Sequence, residues 1–260
     1  MDAPAAVIDR GQAFARMVWT GPAMTVTYGL TRRAFGGGAL AVLPLRSGLI
    51  EPPLRLPPSE RLTVALTLDA CPGAFDERLA QVLVKSSIPA TIFITTVWMR
   101  RNPTGLAFLL AHRDLFSLQN HGYRHVPPVL GEHTLYGIRT AGTLDAIRAE
   151  VANGASAIVA ASSETPKWYR GAAALYSPGA IAPIRQMGFG IAGYSLNADM
   201  GASLPAATVA ARIAKARDGD VIIGHINQPL RPSGAGIAAG VVALKRQGVA
   251  FVFLPDQTAM

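Results

Sequence analysis

Two histidines, His121 and His125, stand four residues apart in the stretch Asn120-His121-Gly122-Tyr123-Arg124-His125, directly after a short apolar run. Neutral imidazoles at that spacing can reach one metal ion, either from one face of a helix or from a loop at a strand end. The chain has five histidines, and two can fall together by chance as surface or capping groups. The pair therefore points to a metal site only if other parts of the chain supply partners.

Asp69, Arg170, Asp199 and His225 are such partners by chemistry. A zinc-type ion held by imidazoles and a carboxylate lowers the pKa of water toward neutrality. A carboxylate can then take the water's proton, and a further histidine can protonate the leaving group. His112 and His133 follow no strand and read as surface groups.

What must position these residues is an alternation of strands and helices. Apolar, β-rich runs at residues 63–68, 88–95, 115–118, 168–169, 189–196, 220–224 and 249–254 read as strands. Helical spacing recurs at residues 76–87, 102–112, 140–151, 178–188, 206–217 and 237–247. This is the pattern of parallel βα units, and about seven strands with no second composition zone favour one closed or nearly closed βα barrel over residues 61–260, with an open parallel sheet as the alternative. Chemistry in such folds gathers where strands end, and Asp69, His121, His125, Arg170, Asp199 and His225 all fall at that end.

Composition narrows the alternatives. Half of the 260 residues are apolar and 15% are charged, which suits a substantial core and excludes disorder. The formal charge of +8 raises an anionic partner, but the arginines are dispersed with no basic run, so no nucleic-acid partner is expected. A single cysteine, Cys71, excludes an internal disulfide. No run is long enough for a membrane span, so no stable membrane insertion is expected.

Thr31-Arg32-Arg33-Ala34-Phe35 followed by the apolar segment at residues 34–45 resembles a twin-arginine export signal, predicting an exported, periplasmic or cell-envelope protein. If Arg32-Arg33 is an ordinary basic turn, the protein is cytoplasmic. Translation from Met24 would place the arginine pair where a signal needs it. Residues 1–46 are accordingly read as an N-terminal extension. The proline-rich residues 47–60 read as an extended linker or arm that is not a packed element.

From residue 63 to 255 the order of motifs resembles the polysaccharide deacetylases of the NodB-homology group, carbohydrate esterase family four. Leu66-Thr67-Leu68-Asp69 is similar to the first motif, Asn120–His125 to the metal motif, Arg170 to the arginine motif, Asp199 to the fourth, and Ile222-Ile223-Gly224-His225 to the last. The resemblance implies an α/β fold, a distorted (β/α) barrel of about seven parallel strands, and a hydrolase of carbon–nitrogen (amide) bonds that removes N-acetyl, less often O-acetyl, groups from a polysaccharide or envelope saccharide. It implies a divalent metal, foremost zinc, on His121 and His125. Asp69 is then the base, Arg170 orients it, and His225 is the acid tuned by Asp199.

The departures are as specific. Where the family has two adjacent aspartates, base then ligand, the second position is Ala70. A catalytic zinc takes three protein ligands, and three residues compete for the open place. Asp69 would bind at the expense of its base role. Asp76 could turn in from the next helix, although its position suits a cap better. Cys71 is a soft ligand in the right neighbourhood, although a buried inert thiol is the commoner fate. Gly122 replaces a hydroxyl residue, Gly171-Ala172-Ala173 replaces a proline-aromatic pair, and no tryptophan accompanies Asp199. The alternative to an enzyme is a saccharide-binding barrel that has lost its metal site through Ala70.

Overall fold

The computed structural model describes residues 48–255. Arg32-Arg33 and the apolar segment behind them lie outside the described residues. The strands are β1 (Thr63–Ala70), β2 (Ala90–Ile94), β3 (Phe116–Asn120), β4 (Thr134–Leu135), β5 (Ile138–Arg139), β6 (Trp168–Tyr169), β7 (Gly190–Ile191), β8 (Leu196–Asn197), β9 (Val221–His225) and β10 (Ala250–Val252). The helices are α1 (Glu77–Lys85), α2 (Thr96–Arg101), α3 (Pro103–Ala111), α4 (Leu144–Ser162), α5 (Pro178–Gln186), α6 (Ala206–Ile213) and α7 (Ser233–Arg246).

All strands but the antiparallel β4–β5 pair join one parallel sheet, in the order β7-β6-β3-β2-β1-β9-β8. β1 is its centre. One edge pairs with β9; the other pairs with β10 at its start and with β2 at its end. The two outermost strands, β7 and β8, are the ends of one extended stretch, separated only by residues 192–195. Counting that stretch once gives seven segments that curl into a half-barrel. The single strand expected at residues 189–196 is therefore interrupted, because its start pairs with β6 and its end with β9 on the opposite side.

Burial on both faces explains why these strands read as nearly unbroken apolar runs. In β1 the residues alternate between two surroundings. Val64, Leu66, Leu68 and Ala70 pack into the core beneath the helices with Leu79, Ile92 and Ile237. Ala65 packs with Phe93, Trp168 and Val221 in the barrel interior. Thr67 and Asp69 continue that interior face, since both are bonded by the same interior arginine.

The proline-rich arm is extended, as its composition dictates, but it is packed. Ile50 bridges Tyr176, the Leu54 amide donates to the Tyr194 carbonyl at 3.3 Å, and the Leu56 amide donates to the Gly219 carbonyl at 2.8 Å. Arg55 reaches Asp220 at 2.7 Å. A Cβ at Gly193 would lie 1.8 Å from the Pro52 carbonyl oxygen, so the arm sits against backbone and only glycine fits there. Expected as an unpacked linker, the arm is part of the folded unit, because its backbone bonds reach chain on both sides of the β7–β8 stretch. No helix among the described residues is long and apolar enough to cross a membrane.

Candidate active site

Asp69 and His225 are register partners on adjacent strands β1 and β9, and Arg170 follows β6. Arg170 is fully buried. One terminal nitrogen donates to Asp69 Oδ1 at 2.8 Å and to Thr67 Oγ1 at 2.9 Å. The other donates to the Gly193 carbonyl at 2.9 Å, and Nε donates to the Ala192 carbonyl at 3.1 Å. The guanidinium also lies 4.2 Å over the Phe93 ring. Each nitrogen of the cation is thus engaged, which is what a buried charge requires. Burial alone would push the Asp69 carboxyl up; Arg170 foremost, then His121 and His225, outweigh it and hold its pKa below the usual aspartate value.

The two histidines converge through a loop and not through a helix. The His121 amide donates to Ile94, and the next residues bond to the start of α2 through the Gly122 and Tyr123 carbonyls. Asn120 ties the base of the loop, donating to the Val151 carbonyl and accepting from the Gly122 amide, both at 2.9 Å. Gly122 at φ 93° and His125 at φ 69° turn the chain back on itself. The rings end with centroids 4.9 Å apart. His121 Nδ1 pairs with the Arg170 carbonyl at 2.6 Å. Nδ1 is therefore the donor, and Nε2 is left with its lone pair toward the cluster.

What Nε2 meets is Cys71, whose Sγ lies 3.3 Å away. One donor atom each from Cys71, His121 and His125 falls within 4.8 Å of the others. Burial would push the thiol up, but His121 and His125 prevail, leaving its pKa well below the free-cysteine value. Asp69 Oδ2 stands farther off, 3.8 Å from His121 Nε2. Asp199 is fully buried, and His225 Nδ1 contacts both its oxygens, at 2.9 and 3.1 Å. Burial would drive that imidazole neutral; its bond to Asp199, then Cys71, holds its pKa well above the ordinary histidine value.

The structure thus brings Asp69, His121, His125, Arg170, Asp199 and His225 to one end of the sheet. It does not bring Asp76. That carboxylate caps α1, accepting from the Leu79 amide and pairing with Arg78, and it is not among the convergent donors. The cap reading wins because the residue sits one position before the helix, where orphan amides need an acceptor. His112 bonds the Phe108 carbonyl at the end of α3.

Glu150 of α4 is the residue that sequence reasoning missed. Its side chain enters the back of the loop, where Oε1 accepts from the Arg124 amide at 2.8 Å and the Val126 amide at 3.1 Å. The available signal was its place on the buried stripe of α4 with Ile147, Val151, Gly154 and Ile158, where a carboxylate needs a partner. It also explains Gly122. A Cβ there would lie 2.5 Å from Glu150 Oε1, at a φ that L-residues disfavour. Gly122→Ala is expected to destabilise the protein by at least ~1–2 kcal/mol, read as a lower midpoint in urea unfolding. An unchanged midpoint would mean that the loop yields without cost.

A parallel half-barrel that carries an arginine-held aspartate beside an aspartate-held histidine is equipped for hydrolysis, and the solved structures it resembles include members of carbohydrate esterase family four. The family model described as polysaccharide deacetylase matches residues 57–192, more than half of the 260, and the chain belongs to that family of amide-bond hydrolases. Among solved structures, it is similar to a family-four pseudoenzyme from Bacillus anthracis (20% identity, TM-score 0.60, covering 78% of this chain and 68% of that one). A family-four acetyl xylan esterase from Clostridium thermocellum in complex with a cobalt ion is 25% identical (TM-score 0.60, 74% and 87%). A peptidoglycan N-acetylglucosamine deacetylase is 20% identical (TM-score 0.64, 78% and 90%). No curated protein gives a significant sequence match.

Proposed function

We propose that the protein is a metal-dependent deacetylase that removes acetyl groups, N-acetyl ahead of O-acetyl, from a cell-envelope saccharide. The observation that carries this reading is the presence of both halves of an acid–base pair, each with its orienting partner, beside convergent metal-type donors. A binding module has no use for Arg170 on Asp69 or for Asp199 on His225. The donor set fits a divalent ion, foremost zinc, because imidazole nitrogens with a thiol or carboxylate are its usual protein ligands. Such an ion, when bound at His121 and His125, would polarise an acyl carbonyl and acidify water.

The chain's own residues supply the proton transfers. Arg170 occupies Asp69 Oδ1, leaving Oδ2 to take the proton from the attacking water. His225 has Nδ1 engaged by Asp199 and gives its Nε2 proton to the departing glycan nitrogen as the C–N bond breaks. The products are acetate and a free amine. The second reading, a saccharide-binding barrel, rests on Ala70 and predicts neither metal nor turnover.

The test is metal analysis of protein purified without chelators, together with acetate release from a panel of acetylated glycans and a synthetic acetyl ester. Stoichiometric metal with acetate release is the expected result; neither, even after zinc addition, leaves only the binding module. His225→Ala is expected to keep its metal and lose turnover by roughly 10²–10⁴-fold, the usual range for a positioned acid. Metal loss in that variant would place His225 among the ligands instead. Secretion of a protein truncated ahead of Met24, abolished by changing Arg32-Arg33 to lysines, is the result expected if those arginines are an export address.

A further inference from the structure

Resting on the metal-dependent reading above, we propose that Cys71 is the third protein ligand, making the centre a cysteine–bis-histidine site selective for thiophilic divalent ions. The family pattern puts a carboxylate at position 70, and here that position cannot serve. Ala70 is fully buried among Leu68, Ile94 and Trp98 in the core beneath the helices. Alternation along β1 places residues 65, 67 and 69 on the interior side, and the next residue in that series is Cys71, one position past the strand end.

Its geometry suits the role. Metal–sulfur and metal–nitrogen bonds of about 2.3 and 2.0 Å at tetrahedral angles put neighbouring donors roughly 3.3–3.7 Å apart. Cys71 Sγ lies 3.3 Å from His121 Nε2, and His125 completes a triangle with every donor within 4.8 Å. The bond from His121 Nδ1 to the Arg170 carbonyl holds the ring so that Nε2 faces the thiol. A ring fixed in this way is the ordinary support of a ligating histidine.

The other candidates are occupied. Asp76 caps α1, and Asp69 is bound through Oδ1 by a guanidinium that nothing else in the site replaces. With Cys71 as ligand, Asp69 keeps one oxygen for a proton. The substitution also changes what the site selects. A thiolate favours zinc, cadmium and cobalt over magnesium or manganese, whereas a carboxylate in its place would favour harder ions.

The test uses full-length protein loaded with cobalt(II), because a thiolate ligand gives an intense sulfur-to-cobalt charge-transfer absorption in the near ultraviolet that imidazole and carboxylate do not. Wild type is expected to show the band at one cobalt per chain. Cys71→Asp is expected to bind cobalt without the band, and to lose zinc preference over manganese. Cys71→Ser should weaken zinc by ~100-fold or more, since loss of a partner one step removed from a metal already costs about 10–100-fold. In wild type, zinc should also protect the thiol from iodoacetamide, a readout that needs no variant. Cobalt bound without the band, or alkylation equally fast with and without zinc, overturns Cys71 as ligand while leaving metal dependence intact. Failure to bind either ion overturns both readings.

Discussion

Asp69→Asn is expected to lower acetate release by roughly 10²–10⁴-fold with bound metal unchanged. Asparagine keeps the shape of the side chain and an oxygen for Arg170, so the hydrogen bond now at 2.8 Å can survive. It cannot accept a proton at neutral pH, and among the described residues the convergent donors Cys71, His121 and His125 include no carboxylate to replace it. The substitution also leaves the fully buried Arg170 without its counter-charge, and removing one partner of a buried pair typically costs about 3–5 kcal/mol. Rates should therefore be compared at a temperature where urea unfolding shows the variant folded. Metal analysis decides the role: loss of metal together with turnover would make Asp69 a ligand and not the base.

The second large effect is at His121. His121→Ala is expected to abolish stoichiometric metal binding, and turnover with it. The ring is fully enclosed, contacts Cys71, and is bonded to the Arg170 carbonyl. Removing it deletes a donor atom and orphans a buried acceptor at once, at a stability cost of about 1–3 kcal/mol. Added imidazole should restore part of the metal content if the cavity keeps its shape. Wild-type metal stoichiometry in His121→Ala would sink the assignment of this pair.

Much of the frame was legible in the sequence because a doubly buried parallel sheet writes itself as apolar runs. The strands at Thr63–Ala70, Phe116–Asn120, Trp168–Tyr169 and Val221–His225 announce themselves, and a polar residue at the end of an apolar run is easily seen. What escaped did so for local reasons. Thr96–Arg101 is too short to show a helical period; its start is fixed by Thr95, whose side chain accepts from the Trp98 amide. The helical spacing over residues 140–151 stops well short of the end of α4 at Ser162, and Asn153-Gly154, a dipeptide common in turns, lies inside the helix. Gly154 is instead a packing residue, where a Cβ would lie 2.5 Å from Asn120 Oδ1. That close approach brings Glu150 into the histidine loop, and no local pattern reveals a contact made across 26 residues of chain. The site followed the same division. Residue types and strand ends pointed to Asp69, Arg170 and His225, while the proximity of Cys71 to His121 needed the backbone to be traced.

The strap formed by the proline-rich arm bears on where this molecule can be cut. It docks Leu54 and Leu56 along the seam where the sheet's two margins are joined by a single stretch of chain. The guanidinium that holds Asp69 donates to the carbonyls of Ala192 and Gly193 in that stretch, and Pro52 lies against Gly193. A protein trimmed to the start of the family match at residue 57 would lose the outer support of Gly193. The wall that aims Arg170 at the aspartate would then face solvent. A fragment that keeps Arg170 aimed is accordingly expected to begin ahead of Ile50, because the arm braces the wall behind the guanidinium from the far side of the barrel.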